Sequence, residues 1–350
     1  MHIFIDESGP FGGIGQFPSI SLIGALIVPD ARLASLEKQY KKLRPNLPKD
    51  EKGEVKGRLL NEQQVDSAVS LLLADSTLFE AAAIDLGMHT EEGLKAFQVQ
   101  QAEKMTANLA DDHQEALKAQ VWAFRKTFEG FKLPLMVQGI LTFEFIFRIL
   151  EYGTMYYATR RPTELGKFNW VVDAKGNMEK PNEWEEWWSK FIFPVLQTRS
   201  LTRPFRQLPD GIGDYSHFRR FETNADPFLR RMSSWKEGDP EPLDLGLVMK
   251  ESFTFSSEAT AGLELVDVIT NATRRALRGN LQQKGWGRIP QLMVHRGKRE
   301  YISLLSLQDD PEPDRVYPYA EVLNAFQRNG RLLLPAHERK KLLRSGRPPS

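Results

Sequence analysis

Cysteine is absent from all 350 residues. This excludes disulfides, thiolate zinc sites and cysteine nucleophiles, and it lends no support to a secreted fate. Histidine is scarce. His2, His89, His113, His217, His295 and His337 form neither an HExxH pattern nor a close ligating pair. No basic segment leading into an apolar run opens the chain, so no signal peptide is expected. Uncharged apolar runs of bilayer length are missing too. The most apolar stretch, 133–159, carries Glu144, Arg148 and Glu151, which a span of about 20 apolar residues rarely tolerates. It reads as a buried helix of a water-soluble, cytoplasmic protein without a membrane partner. The glycines at 9, 12, 13 and 15 lack the following helix of a dinucleotide fingerprint and the Gly-Lys-Ser/Thr of a P-loop.

What is present is ordinary in amount and uneven in place. Charged residues are 27% and hydrophobic ones 41%, a globular composition with ample length for a core. Residues 1–175 hold 20 Lys and Arg against 23 Asp and Glu, and residues 176–350 hold 27 against 23. The late excess collects at Arg274, Arg275, Arg278, Lys284, Arg288, Arg296, Lys298 and Arg299. It returns at Arg339, Lys340, Lys341, Arg344 and Arg347. Such a cluster suits a nucleic-acid footprint or a solvated helix face with a basic tail.

Periodicity predicts strands over 2–7 and 19–28 joined by a glycine loop, then strands over 78–87 and 168–173 and another within 243–255. Helices are predicted over 33–43, 62–73, 134–157, 183–196 and 258–278, and 91–131 reads as two helices or a long hairpin. Trp184, Trp187, Trp188 and Phe191 repeat at helical spacing, which favours core packing over base stacking. The pattern is α/β with a mixed sheet. One domain is expected over 1–310, with a helical insertion at about 90–160, and 311–350 reads as a C-terminal extension ending in a basic tail.

The chemistry lies in carboxylates. Ile3-Phe4-Ile5 runs into Asp6-Glu7-Ser8-Gly9, and a buried charge must be paired or bind a metal. Asp173 ends a second strand of the same kind, at the edge where ligands of open α/β sheets sit. Glu264 and Asp267, three apart on the late helix, share a face that Asn271 and Arg274 continue. No Lys or Arg follows either acid four residues on. Singly, each acid has an ordinary structural role. Together they match what Mg²⁺ needs, which is oxygen ligands with room for water and substrate phosphate. A pair of such ions supports phosphodiester hydrolysis.

The "FIDESG" start, the mid-chain strand ending in Asp and the late helix "GLELVD" resemble the DUF3800 family, placed in the ribonuclease-H-like superfamily. The resemblance covers roughly residues 1–280. At the late motif Glu264 stands where the family has Gln. The resemblance implies a ribonuclease-H-like mixed sheet with flanking helices. It also implies Asp6 as the central metal-bridging carboxylate, completed by Asp173 and Asp267 with Glu7 or Glu264 as a fourth ligand for Mg²⁺ or Mn²⁺. Glu54 and Lys56 lie where the family often has a short Glu-x-Lys element, which makes Lys56 either a phosphate contact or a solvated loop lysine. The expected function is a metal-dependent nuclease. Asp6, Glu7, Asp173 and Asp267 would be catalytic, Asp6, Asp173, Glu264 and Asp267 would hold metal, and Lys56 and Arg274 would bind substrate. The alternative is a non-catalytic module in a defence or mobile-element system that binds nucleic acid or protein. A homodimer through the long helices stays open.

Overall fold

The computed structural model describes residues 1–107, 109–111, 113–174, 183–193, 195–196, 206–209, 211–223, 243–297, 300–309 and 315–344. Six strands form one mixed sheet: β1 (His2–Ser8), β2 (Ile20–Val28), β3 (Leu78–Asp85), β4 (Asn169–Asp173), β5 (Phe253–Ser256) and β6 (Ile302–Leu305). Their order across the sheet is β5-β4-β1-β2-β3-β6. β1, β2 and β3 are an antiparallel meander, while β4 lies parallel to β1, β5 to β4 and β6 to β3. The described helices are α1 (Asp30–Leu43), α2 (Glu62–Ala74), α3 (Glu91–Thr106), α4 (Glu115–Glu129), α5 (Leu133–Ala158), α6 (Glu183–Trp187), α7 (Leu245–Lys250), α8 (Ala261–Leu277), α9 (Gln283–Trp286), α10 (Ala320–Phe326) and α11 (Ala336–Arg344).

The sheet is covered on both sides, which is why β2 and β3 are apolar at nearly every position and buried throughout. Side chains alternate between faces. Ile3, Ile5, Ile23, Ile27 and Val172 meet α5 on one side. Phe4, Leu22, Leu26 and Phe79 meet α2 and α8 on the other. Each such buried side chain contributes roughly 1.5–3 kcal/mol. Two glycines let α8 lie close on the sheet. A Cβ at Gly24 would sit 2.1 Å from Thr270 Oγ1, and one at Gly262 would sit 2.3 Å from the Phe4 ring. Thr260 caps α8 by accepting from the Leu263 N–H. The apolar stretch at 133–159 is indeed one helix, α5. It is long and apolar enough to cross a membrane, but most of that span is buried inside the protein.

The structure departs from the sequence pattern at two places. The apolar run before β5 is the helix α7, because Asp244 accepts the Leu247 N–H at 2.9 Å and so caps a helical turn. β6 carries too short a pattern to stand out in the sequence. Within the expected C-terminal extension, residues 315–334 pack against the rest of the protein. Tyr319, Phe326 and Leu334 are buried, and Phe326 stacks on Trp286 at 5.4 Å. Residues 175–182, 197–205 and 224–242 lie outside the described residues.

Candidate functional site

Asp6 lies near the C-terminal end of the central strand and is buried. It points to the α8 side, as Phe4 does. In the β1–β4 register Ile5 lies beside Val172. The next pair along is therefore Asp6 and Asp173, on the same face. α8 brings Asp267 over this edge. Its carboxyl lies within hydrogen-bonding reach of that of Asp6. Burial pushes the Asp267 carboxyl up to about 7. The Asp6 charge and hydrogen bond add to this, while the Gly57 N–H and Lys56 oppose it.

A hairpin places the cation. The Asp50 side chain accepts from the N–H groups of Lys52 and Glu54, both at 3.0 Å, and Lys49 pairs with Val55. The chain beyond is stitched along α8. Val55 N–H donates to Glu264 Oε1 at 2.8 Å, and Gly57 N–H donates to Asp267 Oδ2 at 2.5 Å. Arg275 donates to the carbonyls of Gly57 and Leu60. Lys56 is thereby held between Glu54, at 2.7 Å, and the negative fields of Asp267 and Asp173. Burial alone would lower its pKa, but these partners raise it, so the ammonium stays charged.

Asn271, one turn beyond Asp267, donates to Ser8 Oγ at 3.3 Å. Its Oδ1 is buried without a hydrogen-bond partner. Gly9 turns the chain away from Ser8 at φ +115°, a region that favours glycine. The other loop glycines with positive φ are Gly13 and Gly15, consistent with turn residues in a loop that leads into β2.

Two of the acids expected here are employed elsewhere. Glu7 follows Asp6 directly, so strand alternation sends it to the opposite face, where Gln138 of α5 donates to its Oε1 at 3.2 Å. Glu264 has both oxygens engaged. Arg44 binds them in a fork at 2.7 and 2.8 Å, and Tyr40 O–H and the Val55 N–H add two more bonds. Its task is to tie α1 and the Lys56 hairpin to α8. Sequence reading missed Arg44 and Tyr40 because they lie about 220 residues away in the chain. Strand alternation was the signal that separates Asp6 from Glu7.

The late basic cluster is largely consumed by structure. Arg274 Nε donates to the Ile20 carbonyl at 2.8 Å, Arg288 meets Asp66 at 3.2 Å, and Arg296 is buried against Glu80. Arg278 and Lys284 are exposed. Lys298, Arg299 and Arg347, with the side chains of Lys341 and Arg344, lie outside the described residues. Trp184, Trp187 and Phe191 pack on one another, with ring centroids 5.4 and 5.1 Å apart.

Among the described residues no three His, Asp or Glu side chains are grouped so as to hold a metal ion. The donor set nevertheless suits a hard divalent cation. Mg²⁺ is commonly held by one or two carboxylates plus water and substrate phosphate. Here two carboxylates are in contact, and the neighbouring orphaned Asn271 oxygen is a further hard donor. No family model, no curated protein and no solved structure matches this chain.

Proposed function

We propose that this protein is a metal-dependent phosphodiesterase of the ribonuclease-H-like class, acting on nucleic acid. The observation that carries the reading is the Asp6–Asp267 pair. Two carboxyls in hydrogen-bond contact at the end of the central strand can be relieved by a proton or by a cation. Asp173, level with Asp6 on the adjoining parallel strand, and a charged Lys56 in the fields of Asp267 and Asp173 support it. The DUF3800-like motifs at Asp6 and Asp267, and a sheet that begins as an antiparallel meander with parallel strands added beyond β1, support the fold assignment.

Asp6 and Asp267 would hold Mg²⁺ or Mn²⁺ together with water and substrate phosphate, with Asp173 at the neighbouring strand end and Glu7 and Glu264 outside the set. The cation would polarise the phosphate and activate water for in-line attack. The protein's own groups do the rest. Asp6 and Asp267 set two carboxyls side by side where a cation would be held. Lys56, anchored by Glu54, offers its ammonium to a non-bridging phosphate oxygen. The stitched segment 54–60 holds that ammonium in place relative to the carboxylates.

Calorimetric titration of Mn²⁺ and Mg²⁺ into wild type, Asp6→Asn and Asp267→Asn tests this, followed by hydrolysis of labelled DNA and RNA. Binding by wild type and loss in both variants, with activity lost in parallel, is the expected result. Full activity in Asp6→Asn would sink the proposal.

A further inference from the structure

α8 carries a second feature that leads away from the carboxylates. Asp267, Asn271, Arg274 and Arg278 follow at spacings of four, three and four, so they line one face of the helix. At 1.5 Å rise per residue, Arg274 lies roughly 10 Å and Arg278 roughly 16 Å along the axis from Asp267.

Several of the described arginines spend their charge on an acid. Arg44, Arg220, Arg288 and Arg296 each meet a carboxylate. Among the described residues Arg274 and Arg278 make no ion pair. Arg274 is partly buried, and both that burial and the charge of Arg278 lower its pKa. Such an arrangement costs stability unless an anion lies over it.

Arg274 is also held in a set direction. Its Nε donates to the Ile20 carbonyl, and a Cβ at Gly9 would come within 3.0 Å of that nitrogen. The terminal nitrogens make no hydrogen bond among the described residues, so they remain as donors for a ligand. Gly9, bare of side chain, leaves room for the Arg274 guanidinium beside Ser21.

We infer that Arg274 and Arg278 form a phosphate track for a nucleic-acid strand running along α8 from the carboxylate site. The substrate is therefore a polyanion several nucleotides long and not a mononucleotide. The inference rests on the proposed phosphodiesterase reading for its direction, but the track is testable without metal.

The test is fluorescence anisotropy with labelled 12-nucleotide DNA and RNA in EDTA, for wild type, Arg278→Ala and Arg278→Glu. Arg278 is exposed, so both variants should fold, and circular dichroism checks this. Wild type should bind with a steep salt dependence. Arg278→Ala should weaken binding about tenfold and lower the slope of log K against log salt by about 1, and Arg278→Glu should weaken it further. Wild-type affinity and slope in both variants, or no binding by wild type, overturns the track. Mn²⁺ titration of the same proteins separates the two readings. Arg278-dependent strand binding without Mn²⁺ binding supports the track and defeats the metal centre. Mn²⁺ binding lost in Asp267→Asn, with strand binding indifferent to Arg278, does the reverse.

Discussion

Asp267 sets how the site responds to pH. Its carboxyl is raised to about 7 in the folded protein, by burial first and by Asp6 second, against an ordinary value near 4 in the unfolded chain. The folded state therefore binds more protons between those values, and stability falls as pH rises. The full stability is present below about pH 4 and is lost by pH 7, a change of roughly 4 kcal/mol. Metal-free wild type should melt several degrees lower at pH 8 than at pH 5. Asp267→Asn keeps an acceptor for the Gly57 N–H and gains a donor for Asp6, so its melting temperature at pH 8 should exceed that of wild type. Thermal melts of both proteins in EDTA check this, and equal melting temperatures at pH 8 would refute the raised Asp267 carboxyl. Removing a carboxylate from a repulsive site is a common route to a stabler but inactive protein.

At the level of elements, Glu264 is a junction. It receives a fork from Arg44 of α1, a hydroxyl from Tyr40 and the N–H of Val55 in the hairpin that carries Lys56. Hydrogen bonding to Glu264 raises the Arg44 pKa, and burial beside Glu264 raises that of Tyr40. Removing one partner of a largely buried ion pair leaves the others without an acceptor. Glu264→Ala should lose about 3 kcal/mol, read as a lower urea midpoint at unchanged slope. A loss under 1 kcal/mol would show that the junction is not structural. Gly57 belongs to the same seam. A Cβ there would stand 2.8 Å from Asn271 Cβ and from the Asp267 carbonyl, so α8 and the hairpin meet backbone to backbone. The mixed sheet, the central strand and the late helix were legible because each has a long, regular apolar pattern. α7 was not, since a short apolar run reads equally as strand or helix until its cap is known. β6, four residues long, offered no period to detect.

For the whole molecule, the two layers differ in work. α5 and its aromatic neighbours fill one side of the sheet, and the carboxylates, Lys56 and the arginines of α8 gather on the other. A cation bound on that side stabilises only the folded state. At 100 times its Kd it should add about 2.7 kcal/mol. Saturating Mn²⁺ should therefore raise the melting temperature of wild type by a few degrees at pH 8 and leave Asp6→Asn and Asp267→Asn unmoved. An equal rise in all three would place the ion elsewhere. By itself, the sequence pointed out the acids proposed for chemistry: Asp6 at a strand end, Asp173 at another, Asp267 on a late amphipathic helix. It also contained the strand alternation that parts Asp6 from Glu7. Only the tertiary structure decided which acids are spent. Glu264 meets Arg44 across 220 residues, Arg296 meets Glu80 across 216, and Arg274 and Arg278 find no carboxylate among the described residues. Periodicity reports the face a residue occupies, but a charge is neutralised by what lies opposite in space, and that depends on how distant segments pack.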